Sequence, residues 1–334
     1  DERFKFGLAT RGFISKEPRL LYRAGYKHDV EQLGQSTNAF RNDNILGSLF
    51  RRNPNTKLTD VEEWKASLER EWFTGFTTEV MGRYRTLQPL GALRYERLKL
   101  EPVPEVSSVG SIRTAEVSLN TRFAYGEKYV SGEFDRISVG MLKYPTLELH
   151  VAYGVPGLLN SDYEYTKVIA RSYKRWQLGT AGWTRTTLEG GRIFGSLPYP
   201  LLTIHSGNET LYLDDLSFNT MNFFEFISDR YIQLFAEHHF EGLFFNRIPL
   251  LRRLKWREVA TFKAVAGDLD QKHSDELLFL DGMYSLYNGP FMEASAGIEN
   301  ILKVLRFDII WRLRYNDHER TAPWALRAKL YINF

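Results

Sequence analysis

The chain closes on Trp324-Ala325-Leu326-Arg327-Ala328-Lys329-Leu330-Tyr331-Ile332-Asn333-Phe334, and its two parities differ. One holds Trp324, Leu326, Ala328, Leu330, Ile332 and Phe334. The other holds Ala325, Arg327, Lys329, Tyr331 and Asn333. Side chains alternate between the faces of a strand, so this period predicts a β-strand with one apolar and one charged face. The segment before it repeats the pattern. Leu305, Phe307, Ile309, Trp311 and Leu313 share one parity; Arg306, Asp308, Arg312 and Arg314 share the other, with Ile310 as the exception. A polar stretch, Tyr315-Asn316-Asp317-His318-Glu319-Arg320, lies between them. The end of the chain reads as a β-hairpin.

The same alternation recurs upstream. Residues 147–155, 115–125 and 292–299 show it clearly. Weaker runs are 3–13, 19–32, 61–74, 76–88, 93–103, 163–177, 182–195, 231–242 and 256–267. Together they predict fourteen strands and an all-β fold. A soluble sandwich or propeller also alternates, but its strands are usually about 5–6 residues long. A tilted strand crossing a bilayer needs about 9–11 residues, and many runs here reach that length. Several end in aromatics, among them Trp72, Tyr163, Trp176, Trp183 and Trp324, as expected of interfacial girdles. The pattern therefore predicts a transmembrane antiparallel β-barrel. Residues 61–72 also fit helical spacing through Val61, Trp64, Leu68 and Trp72. Residues 38–52 look helical, and 218–227 are ambiguous.

Composition fits this reading. The 334 residues include 7 Trp, 18 Tyr and 23 Phe, yet no apolar run is long enough for a membrane helix. The absence of cysteine excludes disulfides, thiol nucleophiles and thiolate metal sites. A net charge of +3 gives no argument for a nucleic-acid partner. The chain begins at Asp1 with no signal pattern, which reads as a mature chain or a fragment. No linker divides it, so residues 1–334 are expected to form one barrel domain.

Catalytic constellations are sparse. In Glu237-His238-His239 the two imidazoles fall on opposite faces of a strand and cannot share one ion. His205, Ser206 and Asp214 lack a nucleophile elbow, and Gly190-Gly191 lacks the Lys-Ser/Thr of a phosphate loop. Asn208-Glu209-Thr210 matches a glycosylation sequon of the kind that arises by chance. We expect no enzyme, no cofactor and no metal. The informative segment is the long connection 194–230. It contains Leu197-Pro198-Tyr199-Pro200-Leu201-Leu202 and His205-Ser206-Gly207-Asn208-Glu209-Thr210, and it is aromatic and short of charge. Such a loop should be ordered, folding over or into a lumen.

The order of the last segments resembles a known superfamily. Ala294-Ser295-Ala296-Gly297-Ile298-Glu299-Asn300, Val304-Leu305-Arg306-Phe307-Asp308 and the terminal strand ending in Phe334 resemble the C-terminal end of the bacterial surface-antigen barrels, the BamA- and TamA-like proteins. More closely, the chain resembles the barrel part of a Bacteroidota outer-membrane family of unknown function, whose members carry a carboxypeptidase-regulatory-like domain before the barrel. The residues that carry this likeness are Tyr129-Val130-Ser131-Gly132-Glu133-Phe134-Asp135-Arg136, the two motifs of the long loop, Ser228-Asp229-Arg230-Tyr231, and Asn246-Arg247-Ile248-Pro249-Leu250-Leu251-Arg252.

The resemblance implies a barrel of about sixteen strands, so two strands and a periplasmic domain would precede Asp1. It implies a bacterial outer-membrane location, contact with outer-membrane lipids including lipopolysaccharide, and a role in assembly or translocation of outer-membrane or surface proteins. A non-insertase channel or structural accessory subunit is the alternative. Phe334 would be the assembly signal. The loop would enter the lumen, with Pro198, Tyr199, Pro200, His205, Gly207, Asn208, Glu209 and Arg230 as its marked residues. In the superfamily this loop carries an Arg-Gly motif that docks on an acidic wall residue. Here 194–230 has no Arg-Gly, Arg230 is its one Lys or Arg, and strand 257–267 offers Lys263 and Val265 where an Asp is expected. Insertase activity is thereby put in doubt.

Two expectations follow from parity. Connections at 300–304, 244–255, 178–181, 126–145, 88–92 and 33–57 should share the periplasmic side with Phe334. The long ones, 33–57, 126–145 and 244–255, should face other envelope proteins. The lumen face, including Arg306, Asp308, Arg312, Arg327 and Lys329, should be charged and wet. On that basis Leu330→Arg should harm the barrel far more than Lys329→Glu.

Overall fold

The computed structural model describes residues 4–33, 57–99, 105–132 and 136–330. The expectations at 38–52 and at Phe334 lie outside these residues. Thirteen strands form one antiparallel sheet. They are β1 (Phe6–Ser15), β2 (Leu20–Glu31), β3 (Lys57–Phe73), β4 (Phe76–Gly91), β5 (Ile112–Phe123), β6 (Thr146–Gly154), β7 (Tyr165–Gln177), β8 (Trp183–Phe194), β9 (Arg230–His239), β10 (Arg257–Asp268), β11 (Phe291–Ile301), β12 (Leu305–Arg312) and β13 (Trp324–Leu330). Each wall strand pairs with the wall strand next to it in sequence, so the wall is an up-and-down meander.

The sheet is inside-out by the standards of a soluble protein. On β13, Trp324 is 59% exposed and Leu330 60%, whereas Arg327 and Lys329 are buried. On β12, Phe307, Ile309 and Trp311 face outward while Arg306, Asp308 and Arg312 face in. Ile310, the apolar exception on the charged parity, is buried among them. Residues 57–73 form a strand, not a helix, with Trp64, Leu68 and Trp72 outward and Glu63, Ser67 and Glu71 inward. Tertiary pairing overrides the helical spacing, because β3 is laddered on both edges, by β2 and β4. Aromatics crowd both ends of the outer face. Phe73, Phe76, Phe123 and Tyr125 cluster at one, and Trp311 pairs with Trp324 at the other.

Apart from 126–145 and 244–255, the connections at one end of the sheet are short. At the end where β13 finishes, residues 16–19, 74–75, 178–182 and 302–304 are tight turns. We call this the turn end. The loop end carries 92–111, 195–229 and 269–290. Run 93–103 is not a wall strand. Its alternation builds a small hairpin, Glu96–Lys99 against Glu105–Ser108, within the β4–β5 connection. Period two does not distinguish a wall strand from a hairpin inside a loop. Among the described residues the wall therefore has thirteen strands where fourteen were expected, and parity shifts upstream of β5. Connections 33–57 and 88–92 leave from the loop end, opposite to the expectation. Most of 33–57 lies outside the described residues. Its flanks are described: Leu33 belongs to the same buried cluster as Leu197 and Tyr199 of the long loop, and the Lys57 ammonium sits 5.6 Å from the Phe224 ring centroid. Connections 126–145 and 244–255 are at the turn end, as expected.

Candidate functional site

The 195–229 segment turns back into the interior, and the sheet wraps round it from Val61 on β3 to Ala328 on β13. Its sequence explains why. Leu197, Tyr199, Leu202, Ile204, Phe224 and Ile227 pack against inward Val61, Leu87, Ile112, Tyr165 and Ile193. A second cluster joins Phe218, Met221 and Phe226 to Phe235, Val265, Leu286 and Phe291. The loop-end half of the interior thus holds two apolar clusters with buried charged groups such as Arg312, Glu225 and Glu293 packed among them, not the wet surface that the lumen expectation described. Burying so many apolar side chains gives the loop a reason to stay in place.

Each marked loop residue has a definite place. Pro198 and Pro200 shape a single 3-10 turn, Tyr199–Leu201, that buries Tyr199 completely. The Tyr199 hydroxyl donates to the Arg94 carbonyl at 3.2 Å, and burial pushes the phenol pKa up. His205 is buried with Nε2 3.0 Å from the Ser228 hydroxyl and its ring edge-on to Tyr231 at 5.2 Å. Burial lowers its pKa to about 3, so the ring is neutral. Gly207 sits where a Cβ would lie 2.4 Å from the Asn222 carbonyl oxygen, so two arms of the loop approach too closely for a side chain. Asn208 ties the turn together: its Oδ1 accepts from the Thr210 amide at 2.9 Å, and its Nδ2 donates to Tyr212 O at 2.8 Å. Glu209 accepts from the Phe223 amide at 3.1 Å. Arg230 is elsewhere. It opens β9 at the rim and pairs with Asp268 on β10.

The loop is strapped to the last four strands. Lys263 on β10 donates to the Asp214 and Ser217 carbonyls at 2.8 and 2.5 Å. Glu293 on β11 accepts the Asn219 and Thr220 amides, both at 2.9 Å, and the Thr220 hydroxyl at 2.7 Å. Arg312 on β12 grips the Glu225 carboxylate and donates to Thr220 O at 2.9 Å. Arg327 on β13 donates to Asn208 O and Asn219 O at 3.1 and 2.8 Å. Lys329 reaches both oxygens of Asp215 at 2.6 and 2.8 Å. Burial penalises the Asp215 charge, but Lys329 and Arg185 outweigh it and hold the carboxyl below its ordinary pKa. Buried groups this polar persist only when each finds a partner. Backbone joins in: the Leu213 amide donates to Ala328 O at 2.8 Å, and the Ala328 amide to Leu211 O at 3.1 Å. Ala328 lies on β13, the outermost strand, so the loop caps part of that strand's edge.

Below the strap the interior becomes charged. Arg306, 0% exposed, bonds both oxygens of Asp308 at 2.6 and 2.8 Å and Glu237 at 2.8 Å. Arg185 bridges Glu237 at 2.7 Å to Asp215 at 3.2 Å. Gly297, opposite Asp308 across the ladder, leaves room for it, since a Cβ there would lie 2.4 Å from Asp308 Oδ1. A chamber of about 430 Å³ lies between the loop tip at Asp215 and Leu216 and the 126–145 connection, which contributes Glu127, Ser138 and Leu142. His239 faces in, between Glu237 at 2.8 Å and Glu299 at 2.9 Å, while His238 lies on the other parity and contacts Thr184. Among the described residues no group of His, Asp and Glu could hold a metal ion.

Comparison with known proteins places the chain. The profile of the C-terminal domain of a family of unknown function, DUF5686, matches residues 2–278. The chain belongs to this family. A search of the curated proteins finds no match. Among solved structures it is similar to the crystal structure of BamA from Haemophilus ducreyi lacking POTRA domains 1–3, with a TM-score of 0.56 and 10% identity. The match covers 97% of this chain and 62% of that chain. At this identity the likeness concerns the fold, which is that of a BamA-type β-barrel.

This DUF5686 domain brings most of the expected lumen residues together. Arg312, Arg327 and Lys329 meet the loop directly; Arg306 and Asp308 form the layer beneath it. The strap's polarity reverses the expected one. Apart from Glu293, the wall supplies the cations and the loop supplies carboxylates and carbonyls, with Lys263 where an acidic residue was sought. Five participants were missed from sequence: Glu225, Glu293, Asp215, Arg185 and Glu237. A carboxylate on the inward parity of a strand full of small residues, as Glu293 is beside Ser295 and Gly297, was the available signal.

Proposed function

We propose that this DUF5686 domain is an outer-membrane β-barrel that acts, without covalent chemistry, in the assembly or translocation of outer-membrane or surface proteins. The turn end is then periplasmic and the loop end extracellular, in keeping with short periplasmic turns. The outward apolar belt with aromatics at both ends is what a lipid-facing wall requires, and lipopolysaccharide would meet its loop-end half. The observation that carries the proposal is the strap from the loop to β10–β13, together with the capping of the β13 edge at Ala328. Movement of the loop and opening of the wall beside β13 are mechanically joined. Protein partners in the periplasm would meet the 126–145 connection.

The inverted strap favours a second reading, a structural accessory subunit without insertase action. Depletion of the full protein, with outer-membrane proteins quantified, separates the two. Loss of several unrelated barrels or surface proteins supports the first reading; an unchanged outer membrane with one missing complex supports the second. Liposome conductance adds a check, since a filled interior should pass little current until the strap is cut.

A further inference from the structure

The connection between β9 and β10 differs from its neighbours at the turn end. It is long, it contains a short helix α1 (Pro249–Leu254), and residues 242–257 carry no Asp or Glu. Arg247, Arg252, Arg253 and Lys255 are exposed, and among the described residues none of them forms an ion pair. Arg257, next along, is matched by Glu241. Between the free cations stand Phe244, Ile248, Leu250 and Leu254, all exposed, with Leu250 at 65%.

The segment leans over the outer face of the wall, not beneath the interior. Glu258 lies on the outward parity of β10, with Ala260 and Phe262, yet it is buried, because the turn at 244–245 folds over it and donates two backbone amides to its carboxylate. Phe244 packs on Phe240 at 5.4 Å, and Phe240 on the outward ring of His238 at 4.2 Å. The exposed apolar side chains therefore continue the outer apolar belt to its rim. A further bond, from the Asn300 amide group to Lys255 O at 2.6 Å, holds the segment against β11.

We propose that residues 242–256 are an interfacial anchor that binds the anionic phospholipid headgroups of the periplasmic leaflet. Apolar side chains at the depth of the headgroups, surrounded by unpaired cations, are the composition of a membrane-surface segment. The wall beside the segment already meets lipid, so bilayer reaches it by continuity. An anionic surface matches the four cations, whereas zwitterionic lipid does not. The anchor rests on the membrane-barrel reading.

The absence of cysteine makes the test direct. The chain is reconstituted in vesicles of phosphatidylcholine and phosphatidylglycerol, with single fluorescent labels at Leu250→Cys or at Leu326→Cys on the wall. A shallow quencher is carried on one lipid or the other. At Leu250→Cys, quenching should be several-fold stronger from the anionic lipid. Arg247→Gln, Arg252→Gln, Arg253→Gln and Lys255→Gln combined should remove that preference, so that the two lipids quench alike. At Leu326→Cys the two lipids should quench alike in both backgrounds. Quenching at 326 but not at 250 overturns the anchor and leaves the barrel standing. Equal quenching at 250 by the two lipids overturns the anionic preference. No quenching at either position overturns the membrane reading itself. Protection of Leu250→Cys from a water-soluble thiol reagent in cells but not in vesicles marks a protein partner and also overturns the proposal.

Discussion

Replacing Arg312 with Met should release the loop. The Arg312 side chain is fully buried; it donates to Glu225, to Thr220 O at 2.9 Å, and to Arg314 O and Tyr315 O at 3.1 and 2.7 Å. Methionine fills much of the volume but leaves the Glu225 charge buried. Removing one partner of a buried ion pair costs about 3–5 kcal/mol. The lower bound applies here, because His318 at 2.9 Å and the Asn222 amide at 2.9 Å still touch Glu225. A loss of about 3 kcal/mol multiplies the undocked population by about 150. Met221 lies in the second half of the loop and is fully buried, so Met221→Cys reports undocking through its rate of reaction with a soluble thiol reagent. The Arg312→Met change should accelerate that rate by about two powers of ten. Arg230→Met, which breaks a half-exposed rim pair, should change it by no more than about fivefold. Adding Glu225→Leu to Arg312→Met should recover much of the loss, since apolar replacement of both partners removes the stranded charge. Equal labelling of the Arg312→Met and Arg230→Met proteins would refute the strap.

Three more outcomes are expected. Ile309→Arg, midway along the outward face of β12, should destabilise the barrel by about 2–4 kcal/mol, read as a lower temperature of gel-shift conversion. Lys329→Glu should not be benign, contrary to a simple wet-lumen reading: it sets two carboxylates together at Asp215, and should raise both liposome conductance and Met221→Cys labelling. His205 gives a pH signature. Its pKa is about 3 when folded against 6.5 when free, so between these values the unfolded chain binds a proton that the folded chain does not. Stability is complete above pH 6.5 and falls on acidification, by up to about 1.4 kcal/mol per pH unit. His205→Gln should flatten this part of a denaturation profile measured from pH 7 to 4.

The wall was legible because each strand states its two faces locally. Trp324, Leu326 and Leu330 against Arg327 and Lys329 need no neighbour to be read, and His238 and His239 separate by the same rule. The strap was not legible, because its partners are far apart in sequence: Arg312 meets Glu225 and Lys329 meets Asp215. Several acceptors are backbone carbonyls, at Asn208, Asp214, Ser217 and Asn219, which carry no sequence signal at all. The run at 93–103 misled for a related reason. Leu98 and Val106 alternate like wall residues, but they pair with each other in a loop hairpin. That one error reversed the side assigned to 33–57.

The inside-out wall is tested most directly by single cysteines at each position from 305 to 312, labelled with a fluorophore in a bilayer containing a lipid-borne quencher of the acyl-chain region. Quenching should alternate: strong at Phe307, Ile309 and Trp311, and absent at Arg306, Asp308, Ile310 and Arg312. Uniform quenching, no quenching, or the opposite parity would contradict the account.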